Sequence, residues 1–252
     1  MDFFKSILIA ALFAGIAAGV ALTAMQTLKV YPLIFAAEEF ENSGPAKSAH
    51  DHDKAAAPTT SATGSATPGA AEHSHGGDDE WMPAEGIERL FFSLLSNVLI
   101  SVGFGLVLAA LSSVRDITSW RQGIVWGICG FIVVNLAPSL GMPPELPGMP
   151  AGDLVARQTW WWSTAFLTAS GLALIFLLNG QVFRVLGVVA IALPHIYGAP
   201  QPVNHHSDVP AAFAAEFATA TLTTNLVFWV ILGALAALAV ARQQNSDQDF
   251  SA

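Results

Sequence analysis

Four of the seven histidines in this chain form two closely spaced pairs within one polar segment. The two clusters read His50-Asp51-His52-Asp53 and Glu72-His73-Ser74-His75. Neutral imidazole beside carboxylate is a ligand set that suits Co²⁺, Ni²⁺, Zn²⁺ and Cu²⁺. The affinities of these ions follow the same order at most such sites, so the clusters do not indicate which ion is bound. We therefore predict that both pairs capture a divalent transition-metal ion. The competing interpretation is a solvated low-complexity segment that contains histidines by chance.

The other three histidines lie within twelve positions of one another, at 195, 205 and 206. His195 belongs to an apolar segment, and an ionisable side chain at membrane depth is costly enough to suggest a function. It directly follows Pro194, and interrupted helices indicate the binding site of many transporters. We predict that His195, His205 and His206 ligate metal and that an ion passes near His195. Alternatively, the helix ends here and His195 is an interfacial residue.

Several polar residues inside or beside apolar runs could line a path for the ion. The predicted path residues are Asn97, Asn135, Glu145, Pro194 and Asn225. The competing interpretation for the asparagines is that they hold neighbouring helices together, at about 0.6 kcal/mol for each hydrogen bond.

Several classes of protein lack support in this sequence. There is no Walker loop, no His-Glu-x-x-His zinc helix and no Gly-x-Ser-x-Gly elbow, so we expect neither nucleotide hydrolysis nor an enzyme. The ten Lys and Arg residues are scattered, which gives no basis for nucleic-acid binding. With Cys129 as the only cysteine, no intrachain disulfide can form. We also predict no tightly bound cofactor.

The elements that must position these residues are membrane helices. Hydrophobic residues make up 53% of the chain and charged residues only 12%, about half the share in a soluble domain. Six apolar runs could cross a bilayer, which takes about 20 residues. They cover 6–28, 90–111, 123–140, 159–178, 182–197 and 211–241, the third ending at Pro138 and the fifth interrupted at Pro194. The predicted fold is an all-α integral membrane protein with about six transmembrane helices and a disordered extracytoplasmic loop that contains histidines.

We divide the chain into four parts. We predict that residues 1–29 form a first helix that is retained, the alternative being a cleaved secretory signal, and that 30–89 form a flexible acidic loop outside the cytoplasm. Residues 90–242 form a five-helix bundle with proline-rich outer loops, and 243–252 form a cytoplasmic tail. Trp160, Trp161 and Trp162 are expected to anchor the fourth span at the membrane interface.

The distribution of basic residues predicts which side of the membrane each loop occupies. Five basic residues flank span ends on the side of both termini, and three flank the opposite side. The first group is Lys5, Arg115, Arg121, Arg184 and Arg242, and the second is Lys29, Arg89 and Arg157. Because cytoplasmic loops carry an excess of Lys and Arg, both termini should be cytoplasmic and all seven histidines should lie on or near the outer side.

The sequence resembles the CbtA family of cobalt transporter subunits over essentially its whole length. The most specific stretches are Pro-Pro-Glu-Leu-Pro-Gly at 143–148 and Pro-His-Ile-Tyr-Gly-Ala-Pro at 194–200. Further similarity lies in the Phe-Lys-Ser-Ile-Leu start with Gly15 and Gly19, in the histidine- and aspartate-bearing loop, in 153–161 and in Thr-Asn-Leu-Val-Phe-Trp at 224–229.

This resemblance implies a bacterial inner-membrane protein that takes up Co²⁺, with Ni²⁺ as a further candidate, for cobalamin synthesis. It also implies a small partner, a CbtB-type subunit with one membrane helix and a histidine-rich end. The alternative function is a metal-binding accessory or sensor protein that transports nothing and hands metal to another permease.

Overall fold

The computed structural model of the chain describes residues 2–43, 86–115, 117, 119–204, 206–207 and 209–251. All regular elements in these residues are helices. They are α1 (Asp2–Lys29), α2 (Tyr31–Ser43), α3 (Ile87–Val114), α4 (Trp120–Phe131), a π-helical segment (Ile132–Leu136), α5 (Ala137–Gly141), α6 (Leu154–Leu177), α7 (Gln181–Tyr197) and α8 (Ala211–Ser251). The all-helical prediction is confirmed.

Five helical stretches are long and apolar enough to cross a membrane. They are Ile7–Lys29, Ile87–Val114, Trp120–Gly141, Leu154–Leu177 and Ala211–Gln243. The predicted fifth span corresponds to α7, which has 17 residues. At 1.5 Å per residue α7 is about 25 Å long, slightly less than the roughly 30 Å hydrocarbon core of a bilayer.

Four helices, α1, α3, α4 and α8, pack together into what we call the bundle. Small residues let their backbones approach closely, as is usual between membrane helices. At the crossing of α4 and α8, a Cβ atom on Gly127 would overlap the carbonyl oxygen of Trp229, and one on Gly233 would lie 2.9 Å from Gly127 Cα. The core of the bundle contains Leu22, Leu108 and Phe228, among other apolar side chains.

The helices α6 and α7 form an antiparallel pair, which we call the hairpin. The two helices cross where Gly171 and Gly187 meet, and a Cβ atom on either glycine would lie 2.6 Å from the carbonyl oxygen of the other. The hairpin touches the rest of the described protein mainly where α6 packs against the π-helical segment and α5. The third span therefore joins the hairpin to the bundle.

The third span ends at Gly141, one residue beyond its predicted limit at 140, and its helix passes through Pro138 without stopping there. Proline has no N–H group, and its ring clashes with the carbonyl group four residues earlier in a regular helix. The chain accommodates Pro138 by widening into the π-helical segment, where the N–H of Ala137 bonds to the carbonyl of Ile132. The helical path then continues through α5 to Gly141.

The predicted interruption of the fifth span at Pro194 is wrong. Helix α7 continues through Pro194 to Tyr197, and it ends at Gly198, whose φ of 94° favours glycine. Pro194 lies in the last turn, so the missing N–H removes only one hydrogen bond near the end of the helix.

The segment predicted as a flexible loop begins with a helix. In α2, Leu33 and Ala37 are buried with Val30 against Leu146, Val209 and Phe217. The apolar residues at 30, 33, 34 and 37 have helical spacing. The average composition of 30–89 is polar, so it hides this local pattern. The rest of that loop, residues 44–85, lies outside the described residues, so its flexibility stays a prediction. At the other terminus, the predicted tail 243–252 continues α8 as far as Ser251.

One end of the molecule gathers α2 and the two proline-rich connections. The last residues of α1, α5 and α7 lie at this end, as do the first residues of α3, α6 and α8. We call it the α2 end. The segment with the paired histidines is attached here through Ser43 and Gly86, and Glu38 of α2 is ion-paired with Arg89 of α3 at 2.9 Å.

Candidate functional site

His195 lies in the last turn of α7 at the α2 end. Its side chain is partly buried, and its Nε2 atom is fully buried without a hydrogen-bond partner. Leaving a buried polar atom unpaired costs about 1–3 kcal/mol, so such an atom in a native structure calls for an explanation, such as a bound ion or water. This nitrogen therefore has no hydrogen bond that would compete with a metal ion.

The indole of Trp160 packs directly against His195. Trp160 is 5% exposed, its ring centroid lies 5.9 Å from that of His195, and the two planes meet at 74°. Its Nε1–H group donates to the carbonyl of Pro194 over 3.3 Å. The prediction that Trp160 is an interfacial anchor is thus wrong, because the side chain faces the interior, whereas Trp162 is 56% exposed.

A large open pocket lies between α6 and α7 beside this pair. Its volume is about 890 Å³, and Tyr197, Gly198, Ala199 and Pro200 line the part of it at the α2 end. Trp160 and Pro194 line it together with Thr159, Ser163, Tyr197 and Gly198, among others. The lining is mostly apolar, and it includes two residues that contact or adjoin His195, Trp160 and Pro194.

Glu145, a predicted path residue, forms an ion pair with Arg157 at the α2 end. Glu145 Oε2 accepts a hydrogen bond of 2.8 Å from Arg157 Nη2, and both side chains are about 70–74% buried. Nearby, Asp153 caps the start of α6 by accepting a hydrogen bond from the Ala156 N–H. These contacts fix the segment that connects the third span to the fourth, between α5 and α6.

The three predicted path asparagines hydrogen-bond to different parts of the protein. Asn97 donates to Thr23 and Gln26 of α1, at 3.0 and 2.7 Å. Asn135, in the π-helical segment, accepts a 2.7 Å hydrogen bond from the indole of Trp229 on α8. Asn225 donates to the carbonyl of Thr221, one turn earlier in its own helix. The contacts of Asn97 and Asn135 are those expected of helix packing.

The remaining histidines are only partly within the described residues. His206 is exposed, and its backbone N–H donates to the side chain of Asn204. His205 and the loop residues His50, His52, His73 and His75 lie outside the described residues. Among the residues that are described, no three His, Cys, Asp or Glu side chains come together in a group that could hold a metal ion. Their metal ligation stays a prediction.

The sequence profile of one protein family matches residues 4–241, which is nearly the whole chain. That family is described as "Probable cobalt transporter subunit (CbtA)". The chain belongs to the CbtA family. No curated protein and no solved structure matches it. Membership of CbtA and the five long apolar helices make this a multi-pass membrane protein, and the description as a subunit implies protein partners.

Two residues of the candidate site were not predicted from the sequence. Gly141, at the end of α5, lies against the indole of Trp160, and a Cβ atom there would lie 2.7 Å from the ring atom Cζ2. The role of Trp160 could not be separated from that of its neighbours, because three consecutive tryptophans all fit an interfacial belt.

Proposed function

We propose that this protein is the membrane subunit of a Co²⁺ importer that supplies cobalamin synthesis and that also accepts Ni²⁺. The ion is its cargo, and no resident cofactor takes part. The observation that carries the proposal, beyond family membership, is the buried and unpartnered Nε2 of His195 beside an open pocket. An imidazole nitrogen is a suitable ligand for both ions.

The proposed route begins in the segment between α2 and α3. His50, His52, His73 and His75 gather the ion, His205 and His206 receive it, and it passes His195 at the end of α7. The support is topological: the segment is attached at the α2 end, and both the 198–210 connection and His195 lie at that same end. Ions concentrated by the loop would thus be released close to the pocket between α6 and α7.

The α2 end faces away from the cytoplasm in this proposal, in the inner membrane of a bacterium, with both termini inside. The support is the excess of basic residues near the span ends on the side of the termini. The proposed partner is a CbtB-type subunit with one membrane helix and a histidine-rich end, which would add ligands at the same side. Lipid surrounds the remaining apolar surface.

The test is uptake of ⁵⁷Co²⁺ by cells that express the full chain with its partner. We expect His195→Ala to lower uptake at least about tenfold, since a lost ligand has a large effect on metal handling. Replacing the four loop histidines with alanine should lower uptake only at limiting Co²⁺. Ile196→Ala is the control, because Ile196 is in the same turn, is 80% exposed and does not line the pocket. Unchanged uptake in both histidine variants would refute this route.

Purified protein distinguishes transport from the alternative accessory role. Liposomes that contain this chain and its partner should take up Co²⁺, and Ni²⁺ in excess should compete. If the purified chain binds Co²⁺ while the liposomes show no flux, the protein is an accessory that passes metal to another permease, and the proposal is wrong.

A further inference from the structure

We infer that Trp160 is a positioning residue, which holds the imidazole of His195 so that Nε2 stays available to the ion. This inference rests on the proposed role of His195. Trp160 contacts the side chain of His195, which would bind the ion, and it does not contact the ion itself. Tryptophan suits this task, because its indole N–H can donate a hydrogen bond but the side chain cannot ligate a metal. The ring therefore orients the imidazole without competing for Co²⁺.

The first support is that Trp160 is fixed to the backbone of the residue preceding His195. Its indole donates to the carbonyl of Pro194, which also accepts from the N–H of Gly198. A buried indole N–H normally requires such a partner. The same bond therefore satisfies Trp160 and ties it to the last turn of α7, where His195 is located.

The second support is the contact between the two rings. With centroids 5.9 Å apart and planes at 74°, they adopt the edge-to-face arrangement that aromatic pairs favour. This contact restricts rotation of the imidazole about its side-chain bonds. Groups that orient a metal ligand typically alter metal affinity by about 10–100-fold when removed.

The third support is that the indole packs against Gly141, at the end of the third span. Gly141 leaves room for the ring on one side, and a Cβ atom at this position would overlap the ring and lie 2.9 Å from Ala199 Cβ. The end of the third span thus depends on where the indole lies, and Ala199 of the connection after α7 lies on the other side of Gly141's open position. A displacement of the ring would be transmitted to His195.

The decisive experiment measures the KM and the maximal rate of ⁵⁷Co²⁺ uptake in the full chain with its partner, normalised to protein abundance. Trp160→Phe removes the N–H group and keeps most of the ring. We expect it to raise KM about tenfold, with a much smaller change in maximal rate. Trp162→Phe is the matched control, because Trp162 is two residues away and largely exposed, and its KM should equal that of the wild type.

Gly141→Ala tests the same contact while Trp160 and His195 stay intact. It should raise KM as Trp160→Phe does, since the new methyl group displaces the indole. Gly103→Ala is its control, because a Cβ atom at Gly103 meets nothing within 4 Å. This second pair decides the matter if Trp160→Phe proves poorly folded.

A double variant separates positioning from general stability. If Trp160 acts through His195, adding Trp160→Phe to His195→Ala changes uptake no further, whereas two independent effects would add. Additive losses would overturn the inference. Wild-type KM values in both Trp160→Phe and Gly141→Ala would also overturn it if His195→Ala is defective in uptake. Normal uptake in His195→Ala would instead refute the proposed function itself.

Discussion

Helices cross closely at glycines in both the bundle and the hairpin, but α8 of the bundle has more neighbouring helices than α7 of the hairpin has. In the bundle, α8 packs against α1, α3 and α4, and its core buries Trp229, Leu232 and Ala236. In the hairpin, α7 packs mainly against α6, and within the helix only Gly187 and Pro194 are buried. Most of the large apolar side chains of α7 are exposed.

The difference separates the packed part of the protein from the helices that carry the candidate site. Lipid tails are as apolar as leucine, so an exposed apolar helix face in a membrane carries no large penalty. The hairpin therefore does not need a second layer of helices to persist. It carries His195, Trp160 and the open pocket, while the bundle supplies a packed frame to which the hairpin is joined through the π-helical segment.

The largest expected effect follows from widening the bundle. Gly127→Val places side-chain atoms where the carbonyl of Trp229 lies, so α4 and α8 must separate. We expect a loss of about 1–3 kcal/mol or more, as for overpacked cores, seen as a lower melting temperature in detergent. Gly103→Val is the control, because the space around Gly103 is open. Equal melting of the two variants would contradict the packing described for the bundle.

A smaller and more local effect is expected in the hairpin. Gly187→Val forces α6 and α7 apart at Gly171, and few other contacts couple this pair to the bundle. Hydrogen exchange should therefore accelerate in α6 and α7 and stay unchanged in α1 and α3. Val188→Ala, at a 60% exposed position, should leave exchange unaltered. Faster exchange throughout the protein would show that the two regions unfold as one unit.

The hydrogen bond from Trp229 to Asn135 tests the attachment between the π-helical segment and α8. Trp229→Phe removes the donor and keeps most of the ring. Because Trp229 is buried, the smaller ring also leaves a cavity, so the hydrogen bond is measured by a double-mutant cycle with Asn135→Ala. We expect a coupling energy of about 0.6–1 kcal/mol between the two changes. Additive losses would mean that the two side chains do not act on each other.

The smallest expected effect concerns the ion pair between Glu145 and Arg157. Both side chains retain some exposure, about a quarter to a third, so the pair contributes about 0.2–1 kcal/mol or less. Glu145→Gln should therefore lower the melting temperature slightly, and the difference from the wild type should shrink in high salt. A large, salt-independent loss would show that the α2 end depends on this pair more than its exposure suggests.

Much of the fold could be predicted because span positions depend on local composition. The runs predicted at 90–111 and 159–178 correspond to α3 and α6, with ends that differ by one to five residues. The helix α2 was missed because its apolar residues lie within a mostly polar segment. The π-helical segment was missed because a proline within a span is compatible with an end, a kink or a local widening.

The amino-acid sequence alone determined that the chain is helical and embedded in a membrane, and it singled out His195. The physical reason is that a bilayer has a fixed thickness and offers no partner for backbone polar groups, so long apolar runs must become helices. Only the tertiary structure decided that Asn135 bonds to Trp229 and that Trp160 packs on His195. Those pairings join residues 94 and 35 positions apart, and they depend on how closely glycines allow the helices to approach, which no local pattern encodes.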